Sequence, residues 1–149
     1  MTFKELTALF TVYSNNFKVM HWGSIGPKFD RIHNLSQEYY DMTSDDLDIL
    51  AEMGLRIGQK PATIMESTKI LAEVEEHKFF VFDSFSDCDY ECFVKTANIM
   101  LSDICKCLEL VLASEEMKDP SNVGIKASLE GLHDKYDLQA RYLNARRSK

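Results

Sequence analysis

Apolar residues recur along this chain at three- and four-residue steps, the period of helices buried on one side. Leu6, Leu9, Phe10, Tyr13, Phe17 and Met20 mark a first helix. Thr2 and Glu5 open it as a capping box, and it closes near His21-Trp22-Gly23. A second helix is expected over Pro27–Ile57, with Pro27 at a first helical position and Gly58 and Pro61 as the stop. Phe29, Ile32, Tyr39, Leu50 and Ile57 set its apolar face. Residues 59–86 form a connection with a short helix, opened by Thr63 and Glu66 and fading near His77. Within it, Phe79-Phe80-Val81-Phe82 has no partner strand and is read as an apolar plug. A third long helix is expected from about Asp87 to Met117, with Phe93, Ala97, Leu101, Ile104, Leu108 and Val111 inward. Asp119-Pro120-Ser121-Asn122 breaks it. A fourth runs from about Asn122 to Arg146 through Ile125, Leu129, Leu132, Tyr136 and Leu143. These elements predict one all-α domain over residues 1–149. It is a four-helix bundle with a long crossover between its second and third helices that carries a short extra helix.

The polar side of the second helix is unusual. On a wheel of about 100° per residue, Asp30, Asn34, Glu38, Asp41, Asp45, Asp48 and Glu52 share an arc of roughly 80°. No lysine or arginine lies among them. Like charges one turn apart, as in Asp41/Asp45 and Asp48/Glu52, cost a helix a few tenths of a kcal/mol per pair. An ordinary solvated face usually mixes signs. A bound cation would offset the repulsion, and carboxylate with imidazole suits hard or borderline ions such as iron.

Composition narrows the classes. The chain has 149 residues, 45% of them hydrophobic, and a net charge of −7. That balance disfavours general affinity for nucleic acid or anionic membrane. No segment approaches the roughly 18 apolar residues of a membrane span. Met1-Thr2-Phe3-Lys4-Glu5 lacks an export pattern, so a cytoplasmic location is expected. Cys88, Cys92, Cys105 and Cys107 fit no zinc-finger spacing and read as small helical side chains, with a Cys88–Cys92 pair one turn apart left open.

The candidate chemistry lies in His21, His33, Asp48 and Glu52. His33 and Asp48 are fifteen residues apart on one helix, hence about 22 Å along its axis. No single ion touches both within one chain. If the four residues share a site, two copies must build it.

Several of these residues carry a family resemblance. Asn15-Asn16-Phe17-Lys18, His21-Trp22, Gly26-Pro27-Lys28-Phe29, Ile32-His33, Glu38-Tyr39, Asp48-Ile49-Leu50-Ala51-Glu52 and Ile57-Gly58 resemble the Dps mini-ferritins. Those are dodecameric ferritin-like "DNA-binding proteins from starved cells". The close match covers about a third of the chain, and the rest agrees more loosely. The resemblance implies that His21 and His33 meet Asp48 and Glu52 of a two-fold-related neighbour. Ferrous iron would be bound there and oxidised, typically with hydrogen peroxide, and ferric product would collect in a hollow acidic shell. Trp22 would sit beside the site and absorb stray oxidising equivalents. Glu38, Asp41 and Asp45 are candidates for the cavity wall. Glu115, Glu116 and Asp119 are candidates for an ion-entry pore where three subunits meet.

One position departs from the pattern. Four residues after the second histidine the family usually has an aspartate ligand, and here stands Gln37. A neutral amide is the poorer iron ligand, so a weak second metal position and slow turnover are expected. One metal per site, or zinc as a substitute, is expected with it. Two rivals stand beside this reading. Glu130-x-x-His133 and Asp30-x-x-His33 resemble the carboxylate–histidine pairs of a di-iron site inside one subunit. A shell without ferroxidase activity, kept as a structural or DNA-associating protein, would rely on Lys4, Arg141, Arg146, Arg147 and Lys149 for weak, salt-sensitive contacts.

Overall fold

The computed structural model describes residues 1–77 and 80–147, with side chains to residue 145. Among the described residues five α-helices follow one another: α1 (Phe3–Trp22), α2 (Phe29–Arg56), α3 (Ile64–Ala72), α4 (Tyr90–Leu112) and α5 (Val123–Arg147). Two 3-10 turns, Glu115–Lys118 and Pro120–Asn122, fill the connection from α4 to α5. α1 lies along α2, α4 along α5, and α1 and α2 both touch α4. Together they form the expected four-helix bundle, with α3 in the crossover against α1.

Local chemistry sets the helix starts. The Thr2 hydroxyl accepts from Glu5 N at 3.2 Å, while Thr2 N donates to Glu5 Oε1 at 3.1 Å. Thr63 and Glu66 repeat this reciprocal cap on α3. Asp89 caps α4 by accepting from Cys92 N at 2.9 Å. Four boundaries differ from the sequence reading, the first being α4, which starts at Tyr90 behind its Asp89 cap rather than at about Asp87. α2 begins at Phe29 because Gly26, at φ +94°, reverses the chain and its carbonyl takes Phe29 N at 3.1 Å. Pro27 therefore sits in the turn. α3 stops at Ala72, where Glu73, Glu75 and Glu76 crowd like charges within one turn, and His77 lies beyond it in turns. α4 stops at Leu112, as the Ser114 hydroxyl takes the Val111 carbonyl at 2.6 Å and the chain becomes extended.

The core collects the inward stripes. Leu6, Leu9, Phe10, Tyr13 and Phe17 of α1 meet Ile32, Tyr39 and Leu50 of α2 and Phe93, Leu101 and Leu108 of α4, all fully buried. Each such side chain contributes about 1.5–3 kcal/mol of transfer free energy. Phe29 does not join them; it is 43% exposed, and Ile57 is half-buried. The plug is partly realised. The Asn16 amide donates to Phe80 O at 2.6 Å, and the Phe80 ring meets Tyr13 edge-on at 5.7 Å. Phe82 is exposed, and Phe79 lies outside the described residues. All four cysteines are free; Cys92 is exposed and the others buried, with Cys88 outside any helix.

The end of the crossover holds the α1–α2 turn. Cys88 N donates to Gly23 O at 2.7 Å and Ile25 N to Cys88 O at 3.1 Å. A Cβ on Gly23 would stand 2.5 Å from Ser86 O, so only glycine admits this close approach. Thus the crossover fixes the turn next to His21 and Trp22.

Candidate metal centre

His21, in the last turn of α1, and His33, in the second turn of α2, meet across the connection. Their rings stack at 3.7 Å between centroids with 27° between planes. His21 Nδ1 lies 2.8 Å from the His33 carbonyl. A carbonyl only accepts, so Nδ1 carries the proton and Nε2 keeps a lone pair, the tautomer a metal needs. Phe29 stacks on His33 at 5.2 Å. His33 Nδ1 is buried and has no hydrogen-bond partner, a cost that a ligand on the ring would help to repay. Trp22, next in sequence, is 60% exposed, with the Lys18 ammonium 5.6 Å from its ring.

The carboxylates are elsewhere. α2 runs unbroken through 28 residues, so the predicted axial distance between His33 and Asp48, about 22 Å, holds. Asp30, Asn34, Glu38, Asp41, Asp45, Asp48 and Glu52 are all exposed, as their shared arc requires. The structure brings His21 and His33 together and leaves Asp48 and Glu52 apart from them; within one chain these four form no ligand group among the described residues. Gln37 is also exposed, and its amide donates to Asp41 Oδ1 at 2.9 Å.

A helical bundle of this connectivity has known counterparts. The chain is 28% identical over 127 residues to DNA protection during starvation protein 2 of Bacillus anthracis, covering 85% of this chain and 82% of that one. The crystal structure of Helicobacter cinaedi CAIP superposes with a TM-score of 0.83, covering 97% of this chain and 96% of that one at 18% identity, which speaks for the shared fold. The chain is therefore similar to a Dps protein in sequence, and its ferritin-like bundle is the fold it shares with CAIP. A shorter stretch of 60 residues is 35% identical to a low temperature-induced protein of Nostoc sp. and its Anabaena variabilis homologue. That stretch covers 40% of this chain, and the chain spans about a third (34%) of the length of those two relatives. No family model matches.

The remaining candidates are occupied locally. Glu115 binds Lys118 at 2.8 Å, Glu116 accepts from the Gln59 amide at 3.3 Å, and Asp119 caps its own turn through Ser121 N at 2.9 Å. The Ser121 N–H holds the Asp119 carboxyl below the usual carboxylate range. With Arg56 the three line an open hollow of about 520 Å³. The one-subunit di-iron rival is not assembled. His133 sits 3.4 Å from Glu109 on α4, while Asp30 and Glu130 are exposed, and no such ligand group exists among the described residues. Of the basic residues, Lys4 binds Glu66 at 2.6 Å and Arg141 binds Asp137 at 2.8 Å. The side chains of Arg146, Arg147 and Lys149 lie outside the described residues. No helix among the described residues is long and apolar enough to cross a membrane.

Two polar groups escaped the sequence reading. Asp46 is buried, taking the Tyr136 hydroxyl at 2.6 Å and the Lys135 ammonium at 2.7 Å. It falls about 160° from Asp30 on the wheel, well outside the acidic arc, and that angle was the available signal. His77, Asp103 and Cys107 also converge. The four-residue step from Asp103 to Cys107 was visible on α4, but nothing in the sequence tied either to His77.

Proposed function

We propose that the chain oxidises ferrous iron at sites shared between two subunits, with hydrogen peroxide as oxidant, and stores the ferric product in a hollow shell. One observation carries the proposal. The two imidazoles are paired at one end of a rigid helix, and the two carboxylates are displayed about 22 Å away on the same helix. A two-fold axis across α2 turns that separation into juxtaposition, because residue i then meets residue j and j meets i. Exposed Trp22, Phe29, Ile49, Ile64 and Met65 are apolar surface that such a partner would cover.

In this reading His21 Nε2 and the His33 ring face Asp48 and Glu52 of the partner subunit. Iron is the substrate. Two ferrous ions give one electron each to a peroxide, whose O–O bond breaks to yield two waters after uptake of two protons. Pairing the electrons this way avoids hydroxyl radical, which is the protective value of the reaction, and it fits the protective name of the Bacillus anthracis relative. Trp22 would take up oxidising equivalents that escape. Glu38, Asp41 and Asp45 would nucleate mineral on the shell wall, and Glu115, Glu116 and Asp119 would guide ions inward. Gln37 makes the second metal position weak, so the resting site would hold one iron or a substituting zinc ion, and turnover, which needs a second ferrous ion to enter, is slow. The assembly is a dodecamer of two-fold dimers in the cytoplasm, with weak, salt-sensitive DNA contact at most. Gln37 also favours a second reading, a Dps-like shell without ferroxidase activity. Following ferric absorbance after adding ferrous iron, with and without peroxide, decides. A rate above buffer that His21→Ala/His33→Ala abolishes supports oxidation here; no rate above buffer leaves the second reading.

A further inference from the structure

Beside the first half of α1, the crossover delivers His77 onto α4. His77 Nδ1 lies 2.7 Å from Asp103 Oδ2, and its Nε2 lies 4.0 Å from Cys107 Sγ. Cys107 Sγ is also 4.0 Å from Asp103 Oδ1. His77 and Cys107 are buried, and Asp103 is half-buried. One donor atom from each residue falls within 4.8 Å of the other two. All three side chains line a cavity of about 470 Å³, whose other walls include Leu9, Leu71 and Leu110.

We propose that His77, Asp103 and Cys107 form a second metal site, distinct from the shared iron site, for a divalent cation of the zinc class. Nitrogen, oxygen and sulfur donors in one set suit a borderline ion. Metal bonds of about 2.0–2.3 Å put tetrahedral donors roughly 3.3–3.7 Å apart. A ring gives an ion only one nitrogen, so donor atoms now within 4.8 Å of one another close by up to about 1 Å when an ion binds. The cavity leaves a fourth position for water and a path for the ion. A thiolate and a carboxylate together balance a double positive charge. His77 Nδ1 already pairs with Asp103 Oδ2 at 2.7 Å, which holds ring and carboxylate together where an ion would bind. Tyr13 donates to the same Asp103 oxygen at 2.5 Å, orienting the carboxylate from outside the donor set. A nucleophilic cysteine–histidine pair is the competing use of these residues. Burial first, then the Asp103 charge, pushes the Cys107 thiol up to about 12, which disfavours a free thiolate. An ion there would tie the irregular crossover, through His77, to α4.

The test adds cobalt(II) to the assembled protein and reads the thiolate-to-cobalt charge-transfer absorption. The proposal predicts one such cobalt per chain, displaced by zinc. The band should survive in His21→Ala/His33→Ala and in Cys92→Ser, and vanish in Cys107→Ser. His77→Ala, which alters the crossover and no helix, should weaken cobalt binding with helical circular dichroism unchanged. Absence of the band in the wild-type protein overturns the proposal, as does its persistence in Cys107→Ser. If Cys107→Ser does not assemble, wild-type cobalt affinity in His77→Ala overturns it equally. Iron oxidation at His21 and His33 is measured separately, so either reading can fail alone.

Discussion

Asp46→Ala tests how α2 is held in the register that the shared site requires. Asp46 is buried and accepts two hydrogen bonds from α5, from Tyr136 Oη at 2.6 Å and Lys135 Nζ at 2.9 Å. Tyr136 is fully buried, so its hydroxyl has no water to turn to. Burial and the Asp46 charge both raise its pKa, keeping it a donor. Losing a hydrogen bond to a charged acceptor costs about 1.5–3 kcal/mol, and an orphaned buried hydroxyl adds about 1–3. Lys135 is 41% exposed and regains water, so its share is below about 1 kcal/mol. Because the first two figures overlap, Asp46→Ala should cost about 3 kcal/mol. Tyr136→Phe removes the hydroxyl but leaves the Lys135 contact, and should cost about 1–2 kcal/mol. The double variant should be less destabilised than the sum by about 1–2 kcal/mol. Urea unfolding at fixed protein concentration measures this, with midpoint shifts of about 1–2 M for Asp46→Ala. An Asp46→Ala variant within about 0.5 kcal/mol of wild type, or strict additivity in the double variant, refutes the reasoning.

Other outcomes follow from named groups. Gln37→Asp restores a charged donor near His33 and should add a tightly held second metal per site in ferrous or cobalt titrations; unchanged stoichiometry would show that the amide is not limiting. The Glu66 carboxyl is held down to about 2, first by its hydrogen bond with Lys4 and then by Thr63. A depressed carboxyl contributes stability above its ordinary pKa near 4.5 and loses it as pH falls through about 2. Glu66→Gln should therefore be less stable than wild type at pH 6, with the gap closing toward pH 2 in acid unfolding. Gly23→Ala forces a methyl to 2.5 Å from Ser86 O. It should destabilise by about 1–3 kcal/mol and shift the emission of Trp22, read by fluorescence during thermal unfolding.

Periodicity made the four long helices and their crossover legible, because a buried stripe must repeat with the helix. The capping boxes of α1 and α3 were equally readable, since they need only residues three apart. Boundaries at Phe29, Ala72 and Leu112 were not, for they depend on a left-handed glycine, a run of like charges and a serine competing for a carbonyl. Phe29 looked like core by spacing but stacks on His33 at the surface, where apolar character serves a ring contact. The acidic arc was correct in every member, as exposure follows directly from angle. The contact between His21 and His33 was expected only through family likeness. Asp46 and the His77 cluster stayed hidden, because burial of a charge depends on partners roughly thirty to ninety residues away.

Subunit mixing tests the shared site most directly. One variant lacks the imidazoles, His21→Ala/His33→Ala; the other lacks the carboxylates, Asp48→Asn/Glu52→Gln. Each alone should oxidise iron no faster than buffer. Dissociated, mixed in equal amounts and reassembled, half of the two-fold dimers are mixed, and each of those holds one intact site and one doubly defective site. Oxidation should then return to about a quarter of the wild-type rate. Activity in either variant alone, or none in the mixture despite confirmed reassembly, contradicts a site built from two chains.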